Sequence, residues 1–403
     1  MTDQRPLAGL KVVDMAWVVA GPMIGRVLAD CGAEVVRIES SQRIETARMM
    51  GPFPGGKIDP QRSGLFDNCN AGKRGMTLDL SQPEARAIVL DLVEWGDVLI
   101  ESFASGQMEK WGLGYDALAA RNPRIIVLST SLMGQTGPLS TLAGFGNIGA
   151  ALSGFQSLVG YPDGEPIGPF GPYTDYVGPR FATAALLAAI AEQRRTGKGA
   201  QLDIAQVEAG VQCLAPEFAA FFADGEVAAA NGNRVPDMAP HGVFRAAGDD
   251  RWIAIAVRSD AEWQRLAIHV GGEANDPRFQ ALEGRKLAED ALEAIVNAWT
   301  TTKEAQAIEE LLQADAIPAH VVANSKDMSN DPQLRHQHHY VRLPHDLGGE
   351  SVIEASRFRL SETAVGPERA APTFGRDNDH VLSSLLAYPE DKIAALKERN
   401  ILK

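Results

Sequence analysis

Short apolar segments alternate with segments of helical pattern along the first third of the chain, and this alternation constrains the fold more than any other feature. The first apolar segment, residues 10–14, is followed by a Gly-Pro turn, a helical segment over 22–30 and a second apolar segment over 34–38. The same order recurs from 76–80 to 124–131. Because parallel strands need crossover helices that cover both sheet faces, the pattern predicts a Rossmann-like α/β domain with a mainly parallel sheet.

The remainder of the chain predicts a second, smaller domain. A glycine-rich region extends from Ser131 to Pro179, and helices are predicted over 179–195 and 204–222. A hairpin is expected around Asp249 and Asp250. The predicted organisation is a large α/β domain (1–222), a linker (223–242), a small α+β domain (243–322), and a linker and C-terminal segment that returns to the large domain (323–403).

The charge balance excludes several classes of partner. The 403 residues include 38 Lys and Arg against 52 Asp and Glu, a net charge of −14. Such a chain repels polyanions, so we predict no nucleic-acid and no membrane partner. The cysteines Cys31, Cys69 and Cys213 are too scattered for a disulfide framework. With no export signal at the start and no apolar stretch near the roughly 20 residues that cross a bilayer, we predict a cytoplasmic protein.

The usual cofactor signatures are absent from the sequence. No GxGxxG follows a strand, no phosphate-binding loop ends in Gly-Lys-Ser/Thr, and neither HExxH nor CxxC occurs. The cluster His336, His338 and His339 offers imidazoles for a metal, but no cysteine or spaced carboxylate pair lies near it. We therefore predict no metal, and we interpret the cluster as a solvated loop.

Asp175 admits two interpretations. It lies in GPYTDYVGP, four residues before Pro179, where aspartate commonly forms a turn or caps a helix. Alternatively, its carboxylate is held on a tight Gly-Pro loop toward a ligand and kept ionised by the helix N-terminus. Composition and spacing leave both interpretations open.

Six segments of the chain form a pattern when they are read in order. They are VVDMAWVVAGPMIGRVLADCGAEVVRIE, NAGKRGMTLDL, GDVLIESF, NPRIIVLSTSLMGQTGP, the Asp175 segment with RRTGKGAQLDIAQVEA downstream, and AIPAHVV with the later DPQLR. This pattern resembles the class III CoA-transferase family, which includes formyl-CoA transferase, carnitine CoA-transferase and α-methylacyl-CoA racemase. The resemblance covers essentially the whole chain.

The resemblance implies a catalytic role for Asp175. In the family, an aspartate just before a long helix with a basic TGxGQ-like end attacks the donor thioester, and Asp175 with RRTGKGAQ at 194–201 matches that place. The implied intermediates are a mixed anhydride and an aspartyl-CoA thioester. The implied substrates are an acyl-CoA, with succinyl-CoA a common donor, and a carboxylic acid acceptor.

An acidic protein that binds the phosphates of CoA needs a local positive patch. Lys73 and Arg74 in the NAGKR loop are candidates, as are Arg37, Lys110 and Arg124 near strand ends; each is otherwise a solvated basic residue. By the resemblance, the remaining CoA contacts are Trp17, Val18, Val19, Ala20, Ser102 and Phe103. The chain departs from formyl-CoA transferase at Ser102, where that enzyme has Asn, and at Ser40, where it has Arg.

Further departures bear on the reaction and the acceptor. Phe145 replaces the histidine that the racemase branch uses as an acid/base partner, which favours the transferase branch. The loop over 144–173 is apolar and poor in cations, so Phe145, Gly146 and Tyr173 predict an acceptor with an apolar or aromatic body. Asn233 and Arg234 either meet the substrate carboxylate or form a structural turn.

The resemblance also implies an interlocked homodimer, or a heterodimer with a homologous subunit. Two alternatives to a transferase remain: a racemase-type isomerase, which Phe145 opposes, and a non-catalytic CoA-binding subunit, which the presence of Asp175 opposes.

Overall fold

The computed structural model describes residues 5–403, which form two compact units. The first unit contains residues 5–155, Gly168–Val227 and Arg335–Lys403, and the second contains Gln156–Ile167 and Ala228–Leu334. Residues 156–167 were predicted to belong to the large domain, whereas their contacts assign them to the second unit.

A six-stranded parallel sheet forms the centre of the first unit, in the order β3-β2-β1-β4-β5-β6. The prediction of a Rossmann-like α/β domain is therefore confirmed. The chain builds one half of the sheet outward from β1 and the other half outward from β4, so β1 and β4 are adjacent at a switch point of the topology. The strands are β1 (Lys11–Asp14), β2 (Glu34–Glu39), β3 (Arg74–Thr77), β4 (Val98–Glu101), β5 (Ile126–Ser131) and β6 (Ala200–Ala205).

Two hydrophobic cores cover the two faces of this sheet. Val13 and Leu99 pack into one core, and Val12 and Ile100 pack into the other, because successive strand residues point to opposite faces. Burial on both faces explains why the central strands are apolar at consecutive positions. The helices up to the second unit are α1 (Ala20–Asp30), α2 (Gly64–Asn70), α3 (Pro83–Trp95), α4 (Gln107–Lys110), α5 (Tyr115–Arg121), α6 (Gly146–Ser153), α7 (Phe155–Leu158), α8 (Tyr173–Thr196), α9 (Gln206–Gln212) and α10 (Ala215–Asp224).

Two predicted helices differ from the structure. The helix predicted from 179 begins six residues earlier, so Pro179 lies inside α8 and Asp175 lies in its first turn. The helix predicted over 204–222 is instead the end of β6 followed by α9 and α10. β6 is an edge strand that alternates exposed and partly buried side chains, and only its pairing with β5 distinguishes it from a polar helix start.

The second unit is an α+β arrangement. Its antiparallel sheet, in the order β7-β8-β9, includes the hairpin predicted around Asp249 and Asp250, and its core contains the fully buried Trp263 and Phe279. Its elements are β7 (His241–Arg245), β8 (Trp252–Ala256), α11 (Asp260–Val270), α12 (Leu282–Leu287), α13 (Glu289–Thr300), α14 (Ala305–Ala314), β9 (Ala319–Val321) and α15 (Ser325–Asn330).

The last part of the chain belongs to the first unit. The Asp79 N–H donates to the carbonyl oxygen of Ile401 at 2.9 Å, and the Arg26 guanidinium donates to that of Glu354 at 2.7 Å. The first contact places the last residues beside the end of β3, and the second joins Glu354 to α1. The elements of this part are α16 (Pro332–His336), β10 (Tyr340–Pro344), β11 (Glu350–Glu354), α17 (Asn378–His380) and α18 (Glu390–Glu398).

Candidate active site

A cavity of about 710 Å³ opens in the first unit at the carboxyl ends of the parallel strands. The crevice beside a topological switch point is where open α/β sheets bind their ligands. The cavity wall includes one residue at or just after the end of each of strands β1 to β5: Met15, Glu39, Leu78, Ser102 and Ser131.

The turn between β1 and α1 forms part of the cavity wall. Val18 has a φ of 67°, a conformation that a β-branched residue rarely adopts. Its N–H donates to Glu45 Oε2 at 3.2 Å, and the Trp17 N–H donates to Ser102 Oγ at 2.8 Å. Polar contacts from two other loops therefore hold this strained turn in place. The structure brings together six predicted CoA contacts on this wall: Trp17, Val18, Val19, Ala20, Ser102 and Phe103.

Three aromatic rings form a continuous surface in the same cavity. The Phe103 ring packs edge-to-face against Trp17, with centroids 6.0 Å apart, and against Trp111, with centroids 4.9 Å apart. The Phe103 N–H donates to Glu101 Oε2 at 2.7 Å, which holds the turn after β4. Trp111 was not predicted, because its contact with Phe103 depends on the packing of α4.

Asp175 is buried at the other side of the cavity, with 5% of its surface exposed. Its Oδ2 accepts a hydrogen bond from the Gly146 N–H at 3.3 Å, and the Gln206 side chain also hydrogen-bonds to the carboxylate. The Thr174 hydroxyl contacts the Gly146 carbonyl oxygen at 3.1 Å and Gln206 Oε1 at 3.3 Å. These contacts join the starts of α6, α8 and α9 around one carboxylate.

Two glycines allow α6 to approach this carboxylate. A Cβ at Gly146 would lie 2.6 Å from the Asp175 backbone nitrogen and 2.8 Å from its Cγ. A Cβ at Gly149 would lie 2.2 Å from Thr174 Oγ1. Side chains at these positions would push α6 away from α8, so the close packing around Asp175 requires glycine.

The environment of Asp175 favours the catalytic interpretation over the capping one. The N-cap of α8 is Pro172, and the helix has no side-chain cap. Burial raises the pKa of the Asp175 carboxyl to about 6, and the hydrogen bonds from Gly146 and Gln206 oppose part of that rise. At neutral pH the group is therefore mostly ionised yet poorly solvated, a condition that suits a nucleophile.

Lys73 and Arg37 do not face the cavity, which corrects the expectation that they meet CoA phosphates. Both side chains are fully buried. Lys73 Nζ donates to Asp14 Oδ2 at 2.7 Å and to the Pro22 carbonyl oxygen at 2.8 Å. Arg37 pairs with Glu45 at 2.6 Å and with Asp14 at 3.5 Å. Their charges therefore neutralise buried carboxylates and are not available to a ligand.

The three other predicted cations also lie outside the cavity lining. Arg74 pairs with Glu34 at 2.7 Å and with Asp377 at 3.8 Å. Arg124 precedes β5 and so lies at the amino edge of the sheet, opposite the cavity, which corrects its predicted CoA contact. Lys110 is exposed at the last residue of α4, and its contact with CoA stays a prediction.

Of the residues predicted to meet the acyl group, one lines the cavity, one hydrogen-bonds to Asp175 and one lies outside the cavity lining. Phe145 lines the cavity with half of its surface exposed, and Gly146 supports Asp175 through its N–H. Tyr173 does not line the cavity, because its ring packs against Phe155 with centroids 4.8 Å apart.

Asn233 and Arg234 lie in the second unit and form a structural turn. Arg234 forms ion pairs with Glu289, Asp290 and Glu293, the last at 2.6 Å. A guanidinium surrounded by three carboxylates repels a fourth, which corrects the expectation that Arg234 meets a substrate carboxylate. The carbonyl oxygen of Asn233 contacts His241 Nδ1, which favours the structural interpretation of this residue as well.

Gln206 was not predicted as a site residue. It follows β6 directly, and it reaches Asp175 only because β6 pairs with β5.

His336, His338 and His339 lie at the surface near the end of α16, and residues 5–403 contain no group of three or more His, Cys, Asp or Glu arranged for a metal. In the same part of the chain, none of the helices combines the length and apolarity needed to cross a bilayer.

Comparisons with known proteins show what this chain is similar to. The family model for CoA-transferase family III matches residues 7–378. Succinyl-CoA--D-citramalate CoA-transferase of Chloroflexus aurantiacus is 30% identical over 410 residues, covering 99% of this chain and 98% of that protein. The alpha subunit of succinyl-CoA--L-malate CoA-transferase of Chloroflexus aurantiacus is 31% identical over 406 residues, covering 99% and 93%. A CAIB/BAIF family protein from Brucella suis has a similar structure, with a TM-score of 0.87, 28% identity and coverage of 94% of this chain and 99% of that one.

Proposed function

The chain belongs to CoA-transferase family III, and from that premise we propose that it transfers CoA between two carboxylic acids through covalent intermediates on Asp175. The observation that carries the proposal is a buried, poorly solvated carboxylate on the wall of a cavity at the switch point of a parallel sheet. A carboxylate nucleophile keeps the energy of the thioester bond in an activated acyl group throughout the transfer.

The proposed reaction has four displacements. An Asp175 carboxylate oxygen attacks the thioester carbon of the donor; the C–S bond breaks, CoA leaves as a thiolate, and a mixed anhydride remains. The thiolate then attacks the Asp175 acyl carbon, which releases the donor acid as a carboxylate and forms an aspartyl-CoA thioester. The acceptor carboxylate displaces the thiolate to form a second anhydride. Finally the thiolate attacks the acceptor's acyl carbon, which yields the new thioester and the free Asp175 carboxylate.

Each displacement exchanges one carboxylate for one thiolate, so the cycle needs no net proton or electron transfer. The role of the protein is to hold the carboxylate, to exclude water from the anhydrides and to keep the thiolate near the acyl carbon. Burial of Asp175 against Gly146 and Gln206 supports the first two of these roles.

We propose succinyl-CoA as the donor and an acid with an apolar body as the acceptor. Two relatives are named for succinyl-CoA, which supports the donor. Around the Asp175 side of the cavity the wall contains Leu132, Leu142, Ala143 and Phe145, which supports the acceptor. An acceptor with an apolar body would bury its surface against these apolar side chains.

The experiment that tests this proposal is trapping of the activated aspartate. The protein is incubated with succinyl-CoA, treated with hydroxylamine, digested and analysed by mass spectrometry. We expect Asp175 to be converted to its hydroxamate, because hydroxylamine attacks the anhydride or thioester carbon, and we expect no conversion when free succinate replaces succinyl-CoA. Addition of single acids in place of hydroxylamine then ranks acceptors by the new CoA thioester. Hydroxamate on another residue, or on none, would contradict the covalent route.

We further propose that the protein is an interlocked dimer with a second copy of this chain. α10 contains Phe218, Phe221 and Phe222 and has no buried residue, and Phe222 is 80% exposed. Phe181 and Leu187 are exposed on α8 of the same unit. Exposed apolar side chains on helices of this kind support a protein interface.

Subunit exchange tests the interlocked arrangement. Two differently tagged forms are purified separately and then mixed. In an interlocked dimer the linkers near 223–242 and 323–334 would have to open before one chain could leave its partner, so exchange of subunits should not occur. We expect tagged heterodimers after co-expression but none after mixing, and a dimeric mass by light scattering at every dilution. A reversible monomer, or exchange within minutes of mixing, would show that the chains are not interlocked.

A further inference from the structure

Arg43 is the one Lys or Arg side chain among the described residues that line the 710 Å³ cavity. Its guanidinium lies over the Trp17 ring, 5.6 Å from the centroid, and the residue is exposed. Within residues 5–403 it forms no ion pair with a carboxylate, in contrast to Lys73, Arg37 and Arg74. Arg43 therefore offers the cavity a positive charge that no carboxylate of residues 5–403 neutralises.

The backbone around Arg43 is held by Ser40. The Ser40 hydroxyl oxygen accepts hydrogen bonds from the N–H groups of Gln42 and Arg43, each at 3.2 Å, and it donates to the Lys403 carbonyl oxygen at 3.1 Å. This hydroxyl is occupied by the turn that follows β2, so its contribution to the cavity is the position of Arg43. The turn orders the Arg43 backbone while the guanidinium stays free to meet a ligand.

The other charges of the cavity restrict where phosphates can lie. The lining carboxylates are Glu39, Asp79 and Asp175, of which Glu39 is paired with Arg48 at 2.6 Å. Phosphate groups are repelled by unpaired carboxylates and attracted by Arg43. Because Asp79 follows β3, the neighbour of β2, Arg43 is the group that attracts phosphates to this side of the cavity and away from Asp175.

The sheet separates Arg43 from Asp175 by a distance that matches the length of the pantetheine arm of CoA. Arg43 follows β2, whereas Asp175 lies against Gln206 at the end of β6, four strand positions away in the sheet. Four strand spacings amount to about 19 Å, a span that an extended pantetheine arm bridges. A CoA thioester placed with its phosphates at Arg43 and its adenine near Trp17, Phe103 and Trp111 can direct its thioester toward Asp175.

We propose that Arg43 binds the phosphates at the nucleotide end of CoA and thereby makes the protein selective for CoA thioesters over thioesters of pantetheine alone. The inference rests on the proposed CoA-transferase function and names the residue that recognises the common part of both thioester substrates. A guanidinium suits this task because it forms charge-assisted hydrogen bonds to several phosphate oxygens and stacks on an aromatic ring at the same time.

The first test is equilibrium binding, which needs no turnover. Isothermal titration calorimetry with CoA is expected to show at least about tenfold weaker binding for Arg43→Gln than for the wild type, and a smaller loss for Arg43→Lys, since lysine keeps the charge without the planar guanidinium. Dephospho-CoA and pantetheine identify the phosphate involved. If the contact is to the 3′-phosphate, the variant and the wild type bind dephospho-CoA equally; if it is to the pyrophosphate, only pantetheine removes the difference.

Kinetics provide the second test. We expect Arg43→Gln to raise the KM for succinyl-CoA by about the same factor while kcat changes less than about threefold, because the contact is equally strong in the ground and transition states. The ratio of kcat/KM for succinyl-CoA to that for succinyl-pantetheine should fall by this factor. Arg194→Gln, which removes one charge from the exposed last turn of α8, is the matched control and should leave binding and KM unchanged.

The outcomes separate this inference from the proposed function. Wild-type affinity for CoA in Arg43→Gln, with an unchanged preference over pantetheine, would overturn the role of Arg43 even if an Asp175 variant is inactive. Loss of CoA binding in Arg43→Gln supports the role of Arg43 even if no acid accepts CoA from the protein, a result that would count against the proposed transfer alone. Circular dichroism and the melting temperature of Arg43→Gln should match the wild type, because the guanidinium forms no buried contact.

Discussion

Replacement of Asp175 by alanine is expected to lower the rate of CoA transfer by at least about 10³-fold and to leave the fold intact. The loss follows from removal of the nucleophile, which leaves no residue to form the anhydride, and each tenfold corresponds to about 1.4 kcal/mol in the barrier. Stability should not fall, because burial raises the pKa of this carboxyl to about 6 and so disfavours its ionised form in the folded protein. Transfer rates and thermal unfolding at pH 7 measure the two effects.

Asp116→Ala is the matched control for this variant. Asp116 also lies in the first turn of a helix, α5, but it is exposed and outside the cavity. If Asp175 acted only at the helix terminus, both variants would lose up to about 1 kcal/mol of stability and both would stay active. We expect the control to keep wild-type activity. An active Asp175→Ala protein, with more than about a tenth of wild-type turnover, would refute the covalent mechanism.

Replacement of Lys73 by alanine is expected to destabilise the protein by about 3–5 kcal/mol. The ammonium group is fully buried and donates to Asp14 Oδ2, Asn70 Oδ1 and the Pro22 carbonyl oxygen, at 2.7 Å, 2.8 Å and 2.8 Å. Its removal leaves the buried Asp14 carboxylate with Arg37, at 3.5 Å, as its remaining cation. Denaturant unfolding at pH 7 measures the loss as a lower midpoint with an unchanged slope.

The neighbouring residue provides the comparison. Arg74 pairs with Glu34 and Asp377 at a partly exposed site, where solvent reaches and screens the guanidinium, so Arg74→Ala should cost about 1 kcal/mol, less than Lys73→Ala. If Lys73 and Arg74 together formed the phosphate site, both variants would instead weaken CoA binding and unfold at the wild-type midpoint. A Lys73→Ala protein with wild-type stability and a raised KM for succinyl-CoA would restore that interpretation.

The two variants illustrate why basic residues next to each other in sequence can have unrelated roles. Lys73 and Arg74 both lie in NAGKR, and the residues around them in the sequence do not distinguish the two. Their environments are decided by segments far along the chain: Asp14 and Pro22 surround Lys73, whereas Asp377 reaches Arg74 from the C-terminal part. The sequence shows that a residue is basic, but the group that it contacts lies far away in the chain. Sequence alone therefore could not distinguish a buried structural cation from a ligand-binding one.

The parallel sheet was determined by the sequence itself. Strands buried on both faces must be apolar at consecutive positions, and the predicted helices between them have an apolar residue every three to four positions. β1 to β5, α1 and α3 are therefore encoded within short segments of sequence. The position of Asp175 near the start of α8 followed from the resemblance of long segments, because that segment is contiguous in the chain.

Only the tertiary structure decided which residues meet in the cavity. The parallel pairing of β5 with β6 brings Gln206 to Asp175, and the turn held by Ser40 places Arg43 over Trp17. In both cases strand pairing and packing bring together segments that are distant in the chain. Gln206 follows a polar strand and Arg43 lies in a polar turn, and neither segment has a pattern that differs from ordinary surface sequence. The physical reason is that hydrogen bonds and ion pairs act over a few ångströms in space, whereas sequence records only separation along the chain.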